Sequence, residues 1–241
     1  MRCQPNFVVF VFLLSCLLVD PGGSDVYGHG INGHVHVTAW SMAEINESAV
    51  LDLFDDPLVV DAMLFGAAFP DTGNGLDDAE GAYGETVHWE PFIEVFIQHM
   101  MENYPPPYET PEIRRKLGFL FGVAAHGLQD EIFDTLFLDQ IAAYDGAGQY
   151  EADFGTDGFL HVDGHLEHKP AAYAPLDDLV PVLAQAGVEA DPRAIETGMD
   201  RVKLFVIDFG FAKEIDKKVL KKRGSEPNIN LTLWHFQSQL K

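Results

Sequence analysis

The run from Leu117 to Leu138 constrains this chain more than any other part of it. It is apolar on nearly every side, which predicts a long helix buried at the centre of a helical domain. Within it, His126 and Asp130 stand four residues apart in His-Gly-Leu-Gln-Asp, so both side chains share one face. An imidazole and a carboxylate on a buried face are costly unless they pair with each other or bind a cation. The spacing alone leaves both readings open: a His–Asp hydrogen bond in a core, or two ligands of a metal ion.

The rest of the apolar pattern is helical as well. Met42 to Phe54 and Leu58 to Phe65 carry apolar residues at helical spacing, followed by a Gly66-to-Gly75 loop. Pro91 opens another helix with Phe92, Val95, Phe96 and Met100 on one face, and Pro105-Pro106-Pro107 ends it. Leu176 to Ala186 and Ala194 to Leu220 complete the set. No strand-like alternation persists and no internal repeat is present, so the expected architecture is all-α. A length of 241 residues fits a single such domain. Its start is set by what precedes it. Arg2, the apolar run Phe7 to Val19 and the small residues Gly22, Gly23, Ser24 and Gly28 have the form of a signal peptide. This divides the chain into a leader at 1–28, a helical domain at 29–223 and an unassigned tail at 224–241, and makes the protein secreted. Both cysteines, Cys3 and Cys16, fall in the leader, so the mature domain has no disulfide to stabilise it.

Charge narrows the function. The formal net charge is -23, and between Asp25 and Asp200 the only basic residues are Arg114, Arg115, Lys116, Lys169 and Arg193. Such a surface repels nucleic acid and attracts divalent cations. Further candidate ligands lie ahead of the central helix: His29, His34 and His36 close together, Asp71 in Phe-Pro-Asp, and His88 before Trp89. Residues of this kind from several segments suit a borderline metal. No His-Glu-x-x-His and no Gly-x-Ser-x-Gly occurs, which removes the common zinc-protease and serine-hydrolase signatures. The kinase-like run Val206 to Lys213 has no glycine-rich loop before it and carries no weight.

Taken together and in order, several segments resemble the zinc-dependent phospholipase C/D family. They are Gly30-Ile31-Asn32-Gly33-His34-Val35, Gly66-Ala67-Ala68-Phe69-Pro70-Asp71, His88-Trp89-Glu90-Pro91-Phe92, Glu102-Asn103-Tyr104-Pro105, Phe119 through His126, and Asp153 through Asp157. The resemblance implies a helical fold shared with bacterial phospholipase C and fungal single-strand nucleases, built around zinc ions. It places Asp71, His88, His126 and Asp130 on a first zinc. His29 (as the mature N-terminus), His34 and the shared Asp130 would hold a second. At the third site the chain departs from the family, with Asp134 where a histidine is expected and Gln149 paired with Asp153 where the family has a histidine and a carboxylate. Glutamine is a poor zinc ligand, so two zincs are expected, and a third site at Asp134 and Asp153 is weak or takes a harder ion. His161 and His165 match no ligand position. The implied activity is hydrolysis of phospholipid or lipid-anchored phosphodiesters at a membrane surface, by a water activated between the zincs, with Asp130 bridging and Asp71 orienting or deprotonating that water. The competing reading is a non-catalytic relative that keeps its zinc for folding and serves as a binding module.

Overall fold

Local signals set where the helices begin. Asp56, Thr110 and Asp191 each precede a proline, and each accepts a backbone N–H from the first turn that follows: Leu58 at 2.9 Å, Ile113 at 3.3 Å and Arg193 at 2.9 Å. The computed structural model describes residues 30–138, 140, 143, 156, 157, 160 and 167–208. These form α1 (Ile31–Ala43), α2 (Ser48–Phe54), α3 (Pro57–Gly66), a 3-10 turn (Pro70–Gly75), α4 (Asp78–Val87), α5 (Glu90–Asn103), α6 (Pro111–Phe133), α7 (Leu176–Gln185) and α8 (Pro192–Arg201). Wider, π-type turns follow α6 at Asp134–Leu138 and α8 at Val202–Asp208. There is no strand among the described residues, and the domain is all-α as expected. None of the described helices is long and apolar enough to cross a membrane. The leader at 1–28, the tail at 224–241, and His29, Gln149, Asp153, His161 and His165 lie outside the described residues.

The central helix is α6, and it starts six residues before Leu117 because Thr110 and Pro111 together cap it. It packs most closely against α3. A Cβ on Gly66, Gly118 or Gly122 would strike the backbone oxygen of Phe119, Val59 or Met63, so the two helices meet backbone to backbone. Around this contact Phe65, Phe69, Phe92, Phe96, Phe119, Leu179, Leu183 and Ile195 are fully buried. Phe69 meets Phe119 edge-on, with ring centroids 5.0 Å apart.

Four elements differ from the sequence expectation. Met42 to Phe54 is not one helix: α1 ends at Ala43, and α2 starts afresh after Glu47. α1 opens among glycines and buries the polar His34, His36 and Thr38 beside Val35, so polar side chains interrupt its apolar signature. α4, with Gly81 and Gly84 inside it, was equally silent. The expected helix at Ala194 to Leu220 is α8 followed by the π-type turn to Asp208, beyond which the residues are not described.

A second tie joins α5, α6 and α7. Asp178 is buried, and its Oδ1 accepts from His99 Nε2 and from the Tyr104 hydroxyl, both at 2.8 Å. Its Oδ2 lies 2.7 Å from Lys116 Nζ, and Lys116 also donates to Tyr104 at 2.8 Å. Burial alone would raise the Asp178 carboxyl, yet Lys116, His99 and Tyr104 hold it below its ordinary 3.8. Its contribution to stability is therefore complete above pH 3.8 and fades as the pH falls through the lower folded value. Replacing Asp178 by Ala leaves buried Lys116 with only the exposed Glu112 carboxylate, 3.4 Å away, and should cost about 3 kcal/mol, measured by urea unfolding near neutral pH. A loss under about 0.5 kcal/mol would show the network to be energetically idle. Gly122→Val, which forces α3 and α6 apart, should destabilise by about 3 kcal/mol or prevent folding.

Candidate metal centre

Four separate elements deliver side chains to one buried point. α1 contributes His34, the 3-10 turn after α3 contributes Asp71, the end of α4 contributes His88, and α6 contributes His126 and Asp130. All five are buried, from 0% exposure at His126 to 8% at Asp71. Asp130 sits at the middle. Its Oδ1 is 3.1 Å from His34 Nε2, and its Oδ2 is 3.2 Å from His126 Nε2 and 3.8 Å from His88 Nε2. His88 Nε2 also lies 3.7 Å from Asp71 Oδ1. The His34 and His126 rings stack at 3.7 Å, and His88 stands edge-on to His126 at 4.6 Å.

The opposite nitrogen of each ring is already engaged. His126 Nδ1 is 2.7 Å from the Ala67 carbonyl, and His88 Nδ1 is 2.7 Å from the Gly84 carbonyl. A carbonyl can only accept, so both Nδ1 atoms carry the hydrogen. His34 Nδ1 meets Gln129 Oε1 at 3.2 Å, while the amide of Gln129 donates to Thr38 Oγ1 at 2.8 Å, which fixes the amide so that its oxygen faces His34. All three rings thus turn Nε2 toward carboxylate oxygens. Lone pairs facing lone pairs repel, so the arrangement requires positive charge among them, from protons or from a metal cation. His126 Nε2 and Asp130 Oδ1 are buried and have no hydrogen bond. A histidine fixed through one nitrogen by a carbonyl, with the other nitrogen presented inward, is the usual setting of a metal ligand.

Ligand atoms of His34, Asp71 and His126 lie within 4.8 Å of one another, and so do those of His88, His126 and Asp130. These groups could hold a metal ion, and imidazole with carboxylate suits zinc. Asp134 is one turn beyond Asp130, half-buried, and belongs to neither group.

The electrostatics follow from the packing. Burial pushes both carboxyls up, but the surrounding histidines outweigh it, leaving Asp71 below its ordinary value and Asp130 well below. Burial pushes His88 down, and Asp71 with Asp130 overcomes that and lifts it above 6.5.

Sequence reasoning missed the groups that aim the ligands. Gln129 was visible only as the neighbour of Asp130. Asn74 donates to Asp71 Oδ1 at 2.9 Å and stands three residues on, a spacing that an Asx turn could have suggested. The Ala67 and Gly84 carbonyls carry no side-chain signal at all. A Cβ on Gly127 would collide with the His88 carbonyl, so the glycine within His-Gly-Leu-Gln-Asp lets α6 lie directly on the end of α4.

No family model matches the chain, and no solved structure matches it. Over half of its length it is similar to phosphatidylinositol-glycan-specific phospholipase D. The rat protein is 29% identical over 134 residues, covering 50% of this chain and 16% of the relative. The mouse protein is 31% identical over 130 residues, covering 50% and 15%, and the human protein 29% over 138 residues, covering 50% and 16%. The chain thus spans about a sixth of the length of these relatives. Across that shared half it is homologous to a phospholipase, a hydrolase of phosphodiester bonds.

Proposed function

We propose that this chain is a secreted, zinc-dependent phosphodiesterase that hydrolyses phospholipid or glycosylphosphatidylinositol-type substrates. The observation that carries the reading is the convergence of three imidazole Nε2 atoms on the Asp71 and Asp130 carboxylates, with each Nδ1 already engaged. Homology over half the chain to phosphatidylinositol-glycan-specific phospholipase D supplies the reaction class. Asp71, His88, His126 and Asp130 would hold one zinc, and His34 with Asp130 a second, completed by His29. Asp134 and Asp153 would form at most a weak third site. Bound zinc supplies Lewis acidity and lowers the pKa of a coordinated water.

The chain's own residues do the rest. Asp130 holds the three imidazoles in one orientation. Asp71, kept ionised by its histidines and steadied by Asn74, orients the attacking water, takes its proton as the new phosphorus–oxygen bond forms, and releases that proton to the leaving oxygen as the ester bond breaks and the alcohol departs. Trp89 is exposed beside His88, with Nε1 donating to Glu85 at 2.7 Å, and offers an amphipathic ring to a headgroup during transient contact with a lipid surface. The net charge of -23 disfavours a nucleic-acid substrate.

The test is zinc content together with hydrolysis of a chromogenic phosphodiester by the purified chain. Two zincs per chain and turnover abolished by chelator are expected, with Asp71→Asn slower by about 100-fold or more and holding its zinc more weakly. Zinc without turnover on any phosphodiester would leave the binding-module reading, and no zinc would sink both. A pH series adds an independent check. His88 titrates above 6.5, so in the metal-free protein its contribution is complete below that pH and fades as pH rises through the folded value. Zinc requires neutral imidazole and binds more tightly over the same rise. The metal-free Tm should therefore fall from about pH 6 to about pH 8 while the increment added by zinc grows.

A further inference from the structure

The start of α1 has no cap of its own. Gly30 occupies the N-cap position with no side-chain hydrogen bond, and the first turn contains no acidic residue. Its leading N–H groups would lack partners. They are instead met from far along the chain. Asp157 Oδ1 accepts from Gly33 N at 2.7 Å, and Oδ2 accepts from both Asn32 N and Asn32 Nδ2 at 3.1 Å. Next to it, Thr156 Oγ1 accepts from Gly30 N at 3.3 Å. The residue that follows this clamp is His34, whose N–H makes the first bond inside the helix, to Gly30 O at 3.2 Å.

We infer that Asp157 is a positioning residue for His34, acting through the first turn of α1 to hold its imidazole against Asp130 and so to set the affinity of the His34 arm of the metal centre. The inference rests on the metal reading above. Its physical basis is that two oxygens of one carboxylate fix two consecutive N–H groups, which sets both the height and the rotation of the helix at the turn bearing His34. Charge helps as well, since a carboxylate at a helix N-terminus complements the dipole. Thermal wobble of α1 would otherwise be felt directly at the 3.1 Å separation of His34 and Asp130. The other anchor of this histidine, Gln129, restrains only the ring, whereas Asp157 restrains the backbone that carries it.

The decisive variant is Asp157→Asn, which turns one acceptor into a donor facing N–H groups. The control is Asp191→Ala, which removes a side-chain cap from the N-terminus of α8, a helix that carries none of the five cluster residues. Zinc affinity of the full-length protein, by competition with a coloured chelator, is the readout, with Tm recorded alongside. Asp157→Asn should weaken zinc binding about 10- to 100-fold, the range for lost outer-shell partners, while Asp191→Ala lowers Tm and leaves affinity unchanged. Asp157→Glu, which keeps both acceptor oxygens, should recover part of the loss. If Asp157→Asn does not fold, Thr156→Ala serves instead and should weaken zinc in the same direction by a smaller factor. Unchanged affinity in the soluble variant, or an equal loss in Asp191→Ala, overturns the positioning role and leaves the metal centre standing. A wild-type chain that binds no zinc overturns both.

Discussion

The Asp130 carboxylate is the point on which the rest of the structure converges. It is buried, its ion-pair partners are imidazoles, and those imidazoles arrive from α1, α4 and α6. Each ring is aimed by a separate acceptor, the Gln129 amide, the Gly84 carbonyl or the Ala67 carbonyl. The site is therefore specified largely by main chain, and moving any of these segments would misdirect a ligand without altering it.

Packing supplies that accuracy. Gly66 and Gly122 let α3 lie so close to α6 that Ala67, just past the end of α3, reaches His126. Gly127 does the same for the end of α4, where His88 sits. A core with this many buried aromatic rings could tolerate looser packing for stability alone. Backbone-to-backbone approach is demanded by the distance a histidine Nδ1 must span to a carbonyl, so the glycines of α6 serve the site as much as the core.

What could be read from the sequence follows from what leaves a side-chain trace. The α6 run showed its apolar surround and the shared face of His126 and Asp130. Asp71, His88 and His34 were reached through order and resemblance, and the structure brings them to Asp130. α1 was hard to read because His34, His36 and Thr38 are buried alongside Val35, which blurs its apolar periodicity. The clamp at Thr156 and Asp157 could not be read because it caps a helix more than a hundred residues earlier, while capping signals are sought next to the helix they serve. Backbone carbonyls as acceptors are invisible in principle, since every residue has one.

The same residue types occur twice in this domain with opposite outcomes. At Asp178, a histidine and a carboxylate pair in the core, and the charge balance is completed by Lys116, with Tyr104 adding a donor. That cluster needs nothing from outside. At Asp130 there is no such lysine among the described residues: imidazoles face the carboxylate, and their remaining donors point away, toward Gln129, Gly84 and Ala67. A His–Asp pair in a core is thus poor grounds for a metal reading by itself, as Asp178 demonstrates. The grounds at Asp130 are different. No described lysine or arginine pairs with this buried carboxylate, and several imidazole nitrogens are turned toward it. A divalent cation would satisfy that geometry at the pH where imidazole is neutral.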